Sequence, residues 1–110
     1  MNKIYSMIGL AHKAGKLVSG DDTVRDAIQH SRVKLLIISA DASANTLKRF
    51  RNAAEFYKVE LKEYGSKEEL GSCIGKSGRS VVGITDNNFG DSIRKLISEQ
   101  QELEKTQGVK

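Results

Sequence analysis

The 110-residue chain contains no proline and no tryptophan, and it has a single cysteine. Each shortage excludes something. Cys73 alone can form neither an internal disulfide nor a cysteine-type zinc site, so the cytoplasm is the expected compartment. No apolar run approaches the roughly 20 residues of a membrane span, and no membrane partner is expected. The opening stretch MNKIYSMIGLAHKAGK is apolar only briefly and lacks a small-residue cleavage site behind a long hydrophobic region, so no signal peptide is expected. There is no repeat and no linker. Aromatic residues are few, three Tyr and three Phe, but aliphatic residues are plentiful, which is a globular composition. The length suits one domain with one core. Residues 1–99 are assigned to it, and the polar stretch EQQELEKTQGVK after Ser98 gives a tail over residues 100–110 that is expected to fray.

Net charge is +4 and the isoelectric point is near 9.3. That balance fits a polyanionic partner, although charge alone sets non-specific attraction and not function.

Helix and strand signals alternate along the chain. Ile4, Met7, Ile8 and Ala11 recur at helical spacing, with Gly15 as a stop. KLVSG is a short extended piece, after which Asp21 or Asp22 can cap a helix carrying Val24, Ala27 and Ile28 inward. Residues 33–39 (VKLLIIS) form an aliphatic run that reads as a strand buried on both faces. Asp41 and Ser43 offer caps for a longer helix through Tyr57, with Leu47, Phe50 and Ala54 inward. A strand is expected over residues 59–62. Ser66 followed three residues later by Glu69 is a capping box that opens a short helix. Residues 80–85 (SVVGIT) make another buried strand, and Asn87 or Asn88 caps a last helix with Phe89, Ile93, Leu96 and Ile97 on one stripe. This order implies about four strands between helical layers, an α/β/α sandwich.

LGSCIGKSGRS, residues 70–80, looks at first like a nucleotide phosphate loop. Such a loop has four residues between its first glycine and Gly-Lys-Ser/Thr, so that successive N–H groups curl around phosphate. Here only Ser72, Cys73 and Ile74 separate Gly71 from Gly75, and the position that should be glycine is Leu70. The loop also follows a helix and leads into a strand, the reverse of the strand-to-helix context that puts phosphate on a helix N-terminus. Both spacing and context fail.

No catalytic set is present. His12 and His30 lie in separate helical stretches without an acid–nucleophile pattern, and read as surface or helix-terminal histidines. Cys73 reads as a small, half-buried residue. Asp21 and Asp22 could in principle bind Mg²⁺, but adjacent carboxylates at a helix start are ordinarily caps favoured by the dipole. No enzyme, cofactor or metal is expected.

Three stretches taken together, GLAHKAGKLVSGDDTVRDAI, KLLIISADASANTLKRF and KEELGSCIGKSGRSVVGITD, resemble the kink-turn-binding ribosomal protein superfamily, the L-seven-Ae/L-thirty-e group, and within it the small bacterial YlxQ-like branch. The resemblance runs from about Ile8 to Leu96. It implies a three-layer α/β/α sandwich with a central four-stranded mixed sheet, in agreement with the element order. It also implies a non-enzymatic protein that binds structured RNA of kink-turn or ribosomal type, with ribonucleoprotein components as further partners. A kink-turn is a sharp RNA bend made by tandem sheared G·A pairs beside a bulge.

The family signature Gly-Asn-Glu-x-x-Lys falls on Gly20, Asp21, Asp22 and Arg25. A glycine lets backbone approach RNA closely, and a helix N-terminus presents N–H groups to phosphate. An acid can accept from guanine N1–H and N2–H, while a cation one turn on donates to O6 or N7. Three of the four positions depart from the signature. Asp21 replaces a neutral amide donor with a charge, Asp22 is a methylene shorter than glutamate, and Arg25 carries its charge in a planar fork. The second family contact is the loop before the last strand, which here supplies Ile74, Gly75, Lys76, Ser77 and Arg79. In the family this loop is mostly apolar and packs against an extruded nucleotide; Ile74 keeps that character, while Lys76 and Arg79 add charge that is expected to meet RNA phosphate. Lys13, Lys16, Lys48, Arg49 and Arg51 read as solvated helix faces outside the site. The alternative is a protein–protein module on the same fold, its kink-turn specificity weakened or lost through the Asn-to-Asp change.

Overall fold

A computed structural model describes residues 2–108, and the side chains of residues 2–105. The element order is α1 (Lys3–Lys13), β1 (Leu17–Ser19), α2 (Asp21–Gln29), β2 (Leu35–Ile38), α3 (Ala44–Tyr57), β3 (Glu60–Glu63), α4 (Lys67–Ser72), β4 (Val81–Ile84) and α5 (Asn87–Gly108). The strands form one sheet in the order β1-β4-β2-β3. β4 is antiparallel to both neighbours, and β2 is parallel to β3 across the α3 crossover, so the sheet is mixed.

The layers follow from the two-residue period of the strands. Leu35 and Ile37 of β2, with Val82 and Ile84 of β4, face a core built from Ile4, Ile8 and Ala11 of α1, Leu70 of α4, and Ile93 and Ile97 of α5. Leu36, Ile38 and Val81 point the other way, onto Val24, Ala27 and Ile28 of α2 and Phe50 and Ala54 of α3. Both sides of β2 and β4 are withdrawn from water, which is why their sequences are apolar throughout and not alternating. Each such side chain contributes about 1.5–3 kcal/mol by burial. The result is a three-layer α/β/α sandwich.

Several local expectations are refined. The strand expected over residues 33–39 is confined to Leu35–Ile38. Ser43 caps α3, its hydroxyl accepting from the Thr46 N–H at 3.2 Å. Ser66 caps α4 in the same way, through the Glu69 N–H at 3.0 Å. The cap of α5 is Asp86, one residue before the expected asparagines, with its carboxylate accepting from the Phe89 N–H at 2.9 Å. Where a fraying tail was expected over residues 100–110, the described residues continue α5 through Gly108, and the Gln101 amide donates to the Glu63 carbonyl at 3.1 Å; residues 109 and 110 lie outside the described residues. A polar helix end is held there by a long-range bond that no local pattern displays.

Two further long-range bonds tie elements together near the loops. The Tyr5 hydroxyl donates to Glu69 Oε1 at 2.9 Å, and burial, then this carboxylate, push the phenol well above its ordinary pKa. Asp41 caps nothing on α3; its Oδ1 accepts from the Lys67 N–H at 2.9 Å, across 26 residues. That backbone bond holds the Asp41 carboxyl below the usual carboxylate range. A depressed folded pKa contributes stability that is present above the unfolded value and lost as pH falls through the folded one. Asp41→Asn should therefore melt below the parent at neutral pH, and the two melting temperatures should converge once the pH drops below the ordinary carboxylate range. A gap that persists unchanged in acid would show that the carboxylate charge contributes nothing.

Candidate nucleic-acid interface

Antiparallel pairing of β1 with β4 sets Ser19 opposite Val82. The chain leaving β1 and the chain entering β4 therefore meet at one end of the sheet, where the Gly20 N–H donates to the Val81 carbonyl at 3.2 Å. Between them lies an open cleft of about 450 Å³, walled by residues 19–23 on one side and residues 78–80 on the other. Two stretches nearly 60 residues apart in sequence thus share one surface.

Gly20, and not Asp21 or Asp22, is the N-cap of α2. Its φ of 92° and ψ of 149° lie in a region open essentially to glycine alone. A Cβ there would meet nothing in the protein, so the requirement is backbone conformation, with the approach to Gly20 left clear. Glycine provides no capping oxygen, and the first turn of α2 is left without a side-chain cap at the wall of the cleft. Asp21 and Asp22 are the first helical residues, where the helix dipole favours their charge. Each holds an arginine. Asp22 Oδ1 accepts from Arg25 Nη2 at 3.0 Å within the helix, and Asp21 Oδ2 accepts from Arg49 Nη2 of α3 at 3.0 Å.

The second stretch is organised differently from the expectation. Ile74 is only 4% exposed and belongs to the core beneath α1 and α4, so its side chain cannot present an apolar contact to a ligand. The turn after α4 points it inward: the Ile74 N–H still bonds the Gly71 carbonyl, continuing the helical path before the chain leaves. Gly75, Lys76 and Ser77 are exposed but stand outside the cleft lining. Arg79 lines it, yet its guanidinium Nη1 donates to the carbonyls of Ser77 (2.9 Å) and Gly78 (2.7 Å), while its Nε is buried without a partner among the described residues. Arg79 thus stiffens its own loop as well as lending it charge.

The glycine that suggested a phosphate loop has a packing role. A Cβ on Gly71 would come within 2.6 Å of the Gly78 nitrogen and 2.9 Å of the Lys76 carbonyl oxygen. Gly71 lets the loop fold back across α4, and its own carbonyl accepts the Lys76 N–H at 2.8 Å. Cys73 is half-buried; burial raises its thiol pKa, and Sγ donates to the Leu70 carbonyl at 3.2 Å, which describes an unreactive thiol. No group of three or more His, Cys, Asp or Glu among the described residues could hold a metal ion.

Sequence reasoning set Arg49 outside the site and did not single out Ser19, Thr23, Gly78 and Ser80, which line the cleft. Neighbours of the signature could have been included on proximity alone. Arg49 lies 28 residues from Asp21, and only the packing of α3 beside α2 brings it there. The two glycines generate a paired expectation. Gly20→Ala should lose about 1–3 kcal/mol to backbone strain, and Gly71→Ala a similar 1–3 kcal/mol to crowding. Urea titration should show lower midpoints at unchanged slope for both, and an unshifted midpoint would mean that the backbone there relaxes at no cost.

The matching family model is described as the ribosomal protein L7Ae/L30e/S12e/Gadd45 family and covers residues 2–94. Among curated proteins, the RNA-binding protein YlxQ of Bacillus subtilis (strain 168) is 40% identical over 93 residues, spanning 84% of this chain and 93% of its own. The RNA-binding protein YlxQ of Enterococcus faecium is 37% identical over 95 residues, spanning 86% and 91%. Among solved structures, a protein of unknown function from Bacillus halodurans C superimposes with a TM-score of 0.86 at 35% identity, over 89% of this chain and 99% of that one. A Giardia lamblia 15.5kD RNA binding protein shares the fold at a TM-score of 0.74 and 20% identity, over 90% and 85%. With a family model matched along most of its length, and close relatives matched along most of theirs, the chain belongs to the ribosomal protein L7Ae/L30e/S12e/Gadd45 family.

Proposed function

We propose that this protein binds structured RNA, with a kink-turn as its preferred target, and that it does so without catalysing a reaction. The observation that carries the reading is the cleft between the start of α2 and the loop before β4, which brings Gly20, Asp21 and Asp22 of the first stretch marked by the resemblance beside Arg79 of the second. The name RNA-binding protein borne by both YlxQ relatives agrees with it. Folded RNA is read through exposed bases and backbone shape, so a site for it combines phosphate-facing N–H groups and cations with a few base-edge partners. The uncapped first turn of α2 supplies N–H groups, and Gly20 supplies close approach. Asp22 accepts from guanine N1–H and N2–H, and Arg25 donates to O6 or N7 of the next pair.

Those two side chains are paired with each other in the free protein. Asp22 is 93% exposed, and a pair so solvated is worth only about 0–1 kcal/mol. Exchanging it for base contacts worth about 1–3 kcal/mol each is therefore favourable. Lys76, exposed at the loop tip, reaches phosphate, with Gly75 and Ser77 setting the turn around it. Ile74 takes no part. No site residue comes from residues 100–110, which leaves the binding unit within residues 1–99. The partner RNA is of kink-turn or ribosomal type, in the cytoplasm, together with the proteins of its ribonucleoprotein particle.

A gel-shift comparison of a kink-turn RNA, the same RNA with its G·A pairs replaced, and a scrambled duplex, at two salt concentrations, tests the reading. The kink-turn should bind tightest. Equal affinity for all three would reduce the protein to a non-specific polyanion binder, and binding of none would favour a protein–protein role for the same surface. Within that series, Lys76→Ala should weaken every RNA by a similar factor and lower the slope of log affinity against log salt by roughly 0.7–0.9, as for one lost phosphate contact. Altered discrimination between the RNAs, at an unchanged slope, would make Lys76 a base reader instead.

A further inference from the structure

The acidic start of α2 poses a problem for an RNA site. In the signature that this chain resembles, the residue after the glycine is a neutral amide, whereas Asp21 carries a charge at the wall of the cleft. An unpartnered carboxylate in that place would repel the phosphates that the neighbouring N–H groups attract. The carboxylate is not unpartnered. Arg49 crosses from α3 to donate to it at 3.0 Å, with side-chain exposures of 44% for Arg49 and 39% for Asp21. The guanidinium carbon of Arg49 also lies 5.7 Å from the ring centroid of Phe50, a fully buried core residue. Ring and carboxylate together favour this placement of the arginine. A guanidinium has five N–H donors, and Asp21 engages only Nη2 of Arg49, which leaves other donors for a ligand.

We propose that Arg49 belongs to the RNA interface: its ion pair with Asp21 neutralises the acidic start of α2, and its remaining N–H groups face an RNA phosphate. This rests on the RNA-binding reading and goes beyond it by extending the surface from α2 and the β4 loop onto α3. Asp21 and Arg49 then act as one unit. The aspartate positions the arginine, and the arginine makes the aspartate compatible with a polyanion.

A unit of this kind leaves a non-additive signature. The parent, Asp21→Asn, Arg49→Gln and the double variant are titrated by gel shift with one kink-turn RNA. Arg49→Gln should weaken binding roughly tenfold, because it removes a cation and uncovers Asp21 in the same step. Adding Asp21→Asn to it should recover affinity to within about threefold of the parent, so that the loss on Arg49→Gln is far smaller in the Asp21→Asn background than in the parent. All four should melt close together, since an exposed ion pair adds little to stability. If Arg49→Gln costs the same factor with and without Asp21→Asn, Arg49 is an independent surface cation and the proposed unit is wrong. No loss on Arg49→Gln overturns it equally. A parent that binds the kink-turn no better than a scrambled duplex overturns the functional reading along with the pair, whereas specific binding with additive factors overturns the pair alone.

Discussion

Everything at the candidate site depends on the antiparallel position of β4 between β1 and β2. Because both neighbours run against it, the ends of β1 and β2 and the beginning of β4 emerge on the same edge of the sheet. Ser19 opposite Val82 and Ile38 opposite Val81 fix this to the residue. The Gly20 N–H on the Val81 carbonyl and the Ser39 N–H on the Ser80 carbonyl carry the pairing one step past the strands. From that edge start α2 and, after a short turn, α3. Had β4 paired in parallel, the loop before it would open at the far end, and no cleft would form.

The electrostatics of the edge are finer than a basic patch. Two aspartates and two arginines cancel in pairs, while Lys76 and Arg79 add the surplus. Exposed pairs contribute little to folding. Their value lies in placing donors and acceptors without a net negative field, which suits a ligand with phosphates outside and base edges within. The loop itself is shaped by two internal devices, the closeness allowed by Gly71 and the Arg79 bonds to its own carbonyls. Neither resembles a nucleotide cradle, in which the backbone N–H groups would converge on one anion.

Much of the fold was legible locally. The aliphatic runs around Leu35–Ile38 and Val81–Ile84, the helical spacing of Ile4, Ile8 and Ala11, and the caps at Ser43 and Ser66 are short-range signals that the structure keeps. The misreadings share a cause. Asp21, Asp22 and Asn87 have good capping chemistry, yet neighbours set by backbone geometry, Gly20 and Asp86, do that work. Ile74 was expected as an exposed apolar contact because the family resemblance gives its loop that role; a helical exit from α4 turns it into the core.

Sequence by itself determined the element order, the two buried faces of the central strands and the place of a glycine before α2, because hydrophobic periodicity and turn chemistry act over a few residues. Only tertiary structure decided that residues 20–22 and 78–80 share a cleft, that Asp41 serves α4 and that Gln101 anchors the last helix. Above all, it decided that Asp21 is answered by Arg49. An ion pair across 28 residues has no sequence period, since it depends on how two helices lie side by side on a sheet.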